Sequence, residues 1–274
     1  MKIRRHRLYS DDGSPYPFVP SPNIGGEVDH RYVVIHYTAA PNSEAAIRTL
    51  TNPKRKASAH VVIGRDSEIT QLVSFHRVAW HAGASSWDGL TGLNRYSLSI
   101  ELDNAGKLQR HGEKWRAWFG REYKKTEVIE AVHKNDTKPA GWHIFPPEQI
   151  EAALELSTVL MERYGIVDVI GHEDIAPGRK IDPGPAFPMA SFRSRVLGRS
   201  EDEAAYYETI TNLNIRAGPG THHPRIIDRP LSTGTRVEVL DQQGSWRLVD
   251  VLETIDGVMD LQGWVHGRYL GRVA

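Results

Sequence analysis

Apolar and polar residues follow two different patterns along the chain. Before about residue 190, short β-branched runs are separated by helical spacing. After residue 205, short alternating runs succeed one another with only turns between them. Tyr32-Val33-Val34-Ile35-His36 is a continuous apolar run that ends on a histidine, the pattern of a strand buried on both faces. Ala59–Ile63 and Ile69–Val73 read as strands, joined by the turn-rich 64–68 segment as a hairpin. Ser97–Leu102 alternates, with Leu98, Ile100 and Leu102 on one face and Ser97, Ser99 and Glu101 on the other. Ser43–Leu50 reads as a short helix with Ser43 as its N-cap and Glu44 in its first turn. The longest helical pattern is Pro146–Tyr164. Its buried face is predicted as Ile150, Ala153, Leu154, Ser157, Leu160 and Met161, with Gly165 as the stop. A strand over Val167–Ile170 then leads into Gly171–Phe187, where six glycines and prolines predict a shaped loop and no helix. Strands separated by helices in this way predict an α/β domain, a mixed central sheet flanked by helices.

The remaining stretches set the domain limits. Pro15, Pro17, Pro20 and Pro22 make residues 1–30 an arm without regular structure, lying along the body of a domain. Residues 103–144 are polar and charged, with Trp115, Trp118, Phe119, Tyr123 and Trp142 interleaved. They read as an excursion folded against a cleft rim. Residues 193–203 are dense in charge, the composition of a solvated linker. Short strands at 213–216, 236–240, 245–251 and 263–265 then predict a small all-β barrel. The expected division is an arm (1–30), an α/β domain (31–195), a linker (196–205) and a β-barrel (206–274).

Composition narrows the chemistry. Lys+Arg and Asp+Glu are both 34, so there is no global field to attract nucleic acid or an anionic membrane. No apolar run approaches the roughly 20 residues of a membrane span. Cysteine is absent, which excludes disulfides, thiolate ligands and a cysteine nucleophile. The basic start MKIRRHRLYS is not followed by an apolar segment and does not read as a signal peptide.

The Gly171–Phe187 loop offers an imidazole (His172), a cation (Lys180) and a carboxylate (Asp182), and imidazole with carboxylate suits a divalent metal such as zinc. His36, at the carboxyl end of its strand, is either a ligand or a core histidine satisfied by backbone. Trp80 and His81 stand among the small residues Ala79, Ala82 and Gly83. They form either a pocket wall or a half-buried aromatic with an incidental histidine. Glu101 is catalytic only if its face of the strand lines a cleft.

Five blocks in order, VVIHYTA (33–39), SAHVVIGRDSEITQLV (58–73), AWHAG (79–83), SLSIELDNAG (97–106) and GHEDIAPGRKIDPGPAF (171–187), carry a family likeness. Over about residues 30–190 the chain resembles the AmpD-type (type 2) zinc-dependent N-acetylmuramoyl-L-alanine amidases. The resemblance implies one zinc ion per chain held by His36, His172 and Asp182, with Glu101 and Lys180 as catalytic residues. It places Ala176 and Arg179 in a loop that meets the substrate peptide. His60, Trp80, His81 and Asn104, all within matched blocks, are expected to contact substrate with them. The implied reaction is hydrolysis of the amide between N-acetylmuramic acid and L-alanine in peptidoglycan or muropeptides. Water activated by the metal would attack, Glu101 would act as base and Lys180 would stabilise the oxyanion. TNLNIRAGPGT (211–221) and GWVHGRYL (263–270) resemble a bacterial SH3-like (SH3b) domain, which implies a module for targeting cell wall or peptide. The competing expectation is a recognition protein of the same fold that binds peptidoglycan without cutting it. Oligomeric state is left open.

Overall fold

The computed structural model describes residues 1–197, 206–255, 258 and 261–272, which form two compact units, Met1–Met189 and Ala190–Ala274. No helix among the described residues is long and apolar enough to cross a membrane.

The first unit is built on a five-stranded sheet in the order Asp168–Gly171, Tyr32–Tyr37, Ser97–Leu102, Val61–Ile63, Ile69–Gln71. The first four strands run parallel, and Ile69–Gln71 closes the edge antiparallel as the return of a hairpin. This is the mixed sheet expected from strands alternating with helices. Val33, Val34, Ile35, Leu98 and Ile100 are all fully buried, so the central strands are covered on both faces. The helix Pro147–Tyr164 is anchored to the sheet by the buried Gln149, whose side-chain amide donates to the carbonyls of Ile63 and Asp103. Its buried stripe is Gln149, Ala153, Leu156, Ser157 and Leu160. Leu156 and Gln149 therefore replace the expected Leu154 and Ile150, because Gln149 caps open carbonyls at the strand ends.

Four local expectations are corrected. The N-terminal segment contains a hairpin, Lys2–Arg4 with Arg7–Tyr9, and a strand, Ile24–Glu27, paired with Arg77–Ala79. The prolines begin only at Pro15, and the buried Gln71 side chain staples the hairpin to the sheet by bonding His6 O, Leu8 N and Arg7 Nε. The short helix Ser43–Leu50 is capped by Asn42, whose side chain accepts from Ala45 N, and not by Ser43. His172–Ile175 forms a helical turn inside the expected loop, because those four residues precede the prolines and Asp174 Oδ2 caps Gly171 N–H at 2.7 Å. Arg193–Val196 belongs to a helix, Met189–Val196, that buries Phe192 and Val196. Of the expected linker, residues 198–205 lie outside the described residues.

Residues 103–144 form a second, antiparallel sheet ordered Glu122–Tyr123, Lys114–Arg116, Lys107–His111, Pro139–His143, Val128–Val132. Ala105, Leu108, Trp115, Ala117 and Tyr123 make its small core. Trp142 is buried between this sheet and the 172–187 loop, where only a glycine fits. A Cβ on Gly184, whose φ is +72°, would meet the Trp142 ring at 2.6 Å.

The second unit is a five-stranded antiparallel sheet, ordered Leu261–His266, Trp246–Val251, Arg236–Gln243, Tyr206–Thr209, Leu270–Arg272. Its core holds Leu213, Ile215, Leu231, Val237, Val249, Val251, Leu261 and Val265. Residues 213–216 lie in it through isolated bridges rather than a regular strand.

Candidate metal centre

Strand register assembles the centre. Glu101 is the direct cross-strand partner of His36, and Gly171 is that of Ile35. His172, one residue past Gly171, therefore emerges beside His36. Three side chains from distant parts of the chain stand at the carboxyl ends of neighbouring parallel strands, where sites of open sheets gather. The following loop returns Asp182 to them, held by a bond from Glu173 N to Asp182 O at 2.8 Å.

His36 Nδ1, His172 Nδ1 and Asp182 Oδ2 lie 2.9 Å from one another, and all three residues are buried. Hydrogen-bond roles fix where the imidazole protons are. Ser97 Oγ donates to Leu93 O at 2.6 Å, so it accepts from His81 Nε2 at 3.3 Å. His81 Nδ1 is then bare and accepts from His36 Nε2 at 3.0 Å, which leaves His36 Nδ1 without a proton. On the other side, His172 Nε2 faces Ala82 O at 3.2 Å. A carbonyl only accepts, so the neutral His172 is bare at Nδ1 as well. Three lone-pair atoms thus converge, an arrangement that can hold a metal cation. Tetrahedral zinc ligands at about 2.0–2.1 Å lie roughly 3.3 Å apart, so a small widening of the triangle fits the ion. Burial first, and then the neighbouring His172, lower the His36 pKa to about 4, which keeps the imidazole neutral and able to ligate. Burial works to raise Asp182, but its close contacts with His172 and His36 outweigh burial and hold the carboxyl below its usual range.

Glu101 presents the opposite case. Its Oε2 is buried without a hydrogen-bond partner among the described residues. Burial first, and then the charge of Asp182, push its pKa up to about 8, with Lys180 opposing. Glu101, Lys180, Trp80, His81 and Arg179 line one cavity of about 410 Å³ with the three ligands.

A family model for N-acetylmuramoyl-L-alanine amidases matches residues 26–185. The chain belongs to that family. A bacterial SH3 domain model matches residues 211–271. N-acetylmuramoyl-L-alanine amidase AmiD of Escherichia coli (strain K12) is 33% identical over 181 residues, covering 63% of this chain and 55% of that protein. 1,6-anhydro-N-acetylmuramyl-L-alanine amidase AmpD of Citrobacter freundii is 32% identical over 150 residues, 54% of this chain and 62% of that protein. The chain thus spans little more than half the length of these curated relatives. A crystal structure of AmpD aligns with a TM-score of 0.51 at 25% identity, over 71% of this chain and 99% of that one.

The amidase domain separates the expected contact residues into groups. Trp80, 36% exposed, and His81 stand in the cavity wall, but the ring nitrogens of His81 are spent on His36 and Ser97. Arg179 lines the cavity while donating to Ala82 O and Ala84 O, both at 2.6 Å. Ala176 is packed in the apolar cluster below the centre with Tyr32, Val34 and Ile170. Two of the expected contact residues lie outside the lining of this cavity. His60 is fully buried, bonded to Ser99 Oγ and Arg77 O, because the serine face of the 97–102 strand needs a partner. Asn104 is 1% exposed and satisfied internally, donating to His143 O and Ile144 O and accepting from Gly106 N. Neither side chain faces the cavity.

Supporting residues were less visible in the sequence. Asn94 Oδ1 accepts from both His81 N and Ala82 N, fixing the loop that contacts both histidine ligands. Glu173 accepts from His133 Nε2 at 2.6 Å and Gly184 N at 3.1 Å, and pairs with Lys134 at 2.9 Å. It ties the ligand loop to the antiparallel sheet. A buried Glu beside a ligand histidine was the available signal; its partners, some 40 residues earlier, were not deducible from spacing.

Proposed function

We propose that the chain is a zinc-dependent hydrolase of the amide joining N-acetylmuramic acid to L-alanine in peptidoglycan or muropeptides. The observation that carries this reading is the convergence of three unprotonated donor atoms, His36 Nδ1, His172 Nδ1 and Asp182 Oδ2, beside the unpartnered carboxyl of Glu101. Zinc bound by those donors supplies a water of lowered pKa and positive charge for the attacked carbonyl. Glu101 takes the proton released in the attack and hands it to the leaving L-alanine amine. Burial raises its pKa from the ordinary carboxylate range toward neutrality, the direction that suits a group that both takes and returns a proton. The Lys180 side chain makes no hydrogen bond or ion pair among the described residues and lines the same cavity, so its ammonium is free to meet the developing oxyanion. Trp80 and Arg179 border the path of the peptide, with Arg179 also bracing the 82–84 backbone. His81 belongs to the support of His36 and not to substrate contact. The 211–271 domain serves as the wall-targeting module.

The deciding experiment is mass spectrometry of products from zinc-loaded protein incubated with purified sacculi and, separately, with soluble anhydro-muropeptides. Free peptides beginning in L-alanine are expected. Retention of both substrates uncut, with zinc bound and wall binding intact, would instead establish the non-catalytic recognition reading.

A further inference from the structure

A second cavity, of about 290 Å³, is also lined by Glu101. It shares Thr38, Ala39, Leu50 and Glu101 with the metal cleft, so the two are continuous. Its remaining walls are mostly small and apolar, including Pro41 and Ala46, and its rim is Trp118. Trp118 lies at the turn between Lys114–Arg116 and Glu122–Tyr123 and is 76% exposed. It is nevertheless held. Its indole Nε1 donates to Ala39 O at 2.8 Å, Arg121 Nη1 donates to Pro41 O at 3.4 Å, and the Phe119 ring stands edge-on to it at 5.7 Å. The single polar atom of the side chain is therefore used, and what it offers to a ligand is an oriented π face.

We propose that this groove and Trp118 form a subsite for N-acetylhexosamine units of the glycan. A pyranose presents a patch of axial C–H bonds suited to stacking on an indole, and its acetamido methyl suits a wall of alanine and leucine. The opposite arm of the cleft carries Arg179 and suits the carboxylate-bearing peptide. The scissile amide joins a sugar to a peptide, so the arm beyond Glu101 receives the sugar side. That orientation rests on the amidase reading; binding of the saccharide itself does not. A rigid aromatic platform adds affinity because little side-chain entropy is lost on contact.

The test uses the full metal-free chain and chitotetraose, a saccharide with no amide link to peptide. The protein has seven tryptophans, and the indole N–H resonance lost in Trp118→Ala identifies Trp118. Adding chitotetraose should shift that resonance. Affinity at the site should fall about tenfold in Trp118→Ala, equivalent to about 1.4 kcal/mol, and stay within about threefold of wild type in Trp118→Phe, which keeps a π face. Thermal melting checks that the variants fold. A shift confined to other indoles, or no shift at millimolar saccharide, overturns the subsite. If sacculi are still cut in that case, the amidase reading stands alone. If Trp118 responds to the saccharide and nothing is cut, the subsite stands and the hydrolytic reading falls.

Discussion

The two carboxylates in the cleft, Asp182 and Glu101, occupy the same poorly solvated space and are held in opposite states. Asp182 meets two imidazoles at 2.9 Å and is kept ionised below the usual carboxylate range. Glu101 has an oxygen with no partner and is raised to about 8 by burial and by the charge of Asp182. Burial pushes both upward; only the presence or absence of close partners separates them. In the proposed function one serves as a ligand and the other as a proton carrier, the division of labour that environment imposes on paired acids in hydrolytic sites.

That contrast can be broken most severely at Asp182. Asp182→Ala should lose stoichiometric zinc by elemental analysis, and hydrolysis with it. The loss of affinity should exceed the 10–100-fold typical of removing a residue that only supports a ligand. Glu101→Gln should keep zinc at wild-type stoichiometry and lose about 10²–10⁴ in kcat on muropeptide, the usual share of a general base; unchanged kcat would remove Glu101 from the mechanism. His81→Ala should weaken zinc by about 10–100-fold in competition with a chelator, because His36 Nε2 loses its acceptor. His81→Gln, which can accept from His36 and donate to Ser97, should recover most of that loss, whereas a purely space-filling role predicts no recovery.

The smallest expected effect is on stability. Glu101 keeps its proton in the folded metal-free protein up to about pH 8 but loses it near the ordinary 4.5 when unfolded. Between those values the native state holds the extra proton, so stability falls as pH rises. Thermal melts of metal-free protein at pH 5 and pH 8 should show this fall in wild type and a smaller one in Glu101→Gln. Equal slopes would mean that Glu101 is ionised in the folded protein.

Much of this could be read from the chain. The Tyr32–His36 run and the alternation of Ser97–Leu102 expose their polarity switches directly, because strand periodicity is short and each residue votes for a face. The same alternation put Glu101 with Ser97 and Ser99, and those serines now hold His81 and His60. The fate of individual histidines was not readable. His36, His60 and His81 all stand near strands among small or apolar neighbours, yet one faces the metal centre, one is sealed in the core and one braces a ligand. That difference is set by partners that lie from 16 to 146 residues away. The 103–144 sheet was hidden for a related reason. Its strands are short, mostly charged on one face, and share only a small core. Asn104 illustrates the cost, since its amide is consumed in joining that sheet to the main one.

The pairing of His36 with Glu101 across adjacent strands has a consequence for how such a centre can change. Their spacing is quantised by the backbone ladder, in which neighbouring strands repeat at about 4.8 Å and a slip of one strand by one residue turns its side chain away from the cleft. Evolution or engineering can therefore exchange what stands at positions 36 and 101 without having to rediscover the distance between them. The sheet acts as a printed circuit, with sockets whose pitch is fixed and whose occupants are interchangeable.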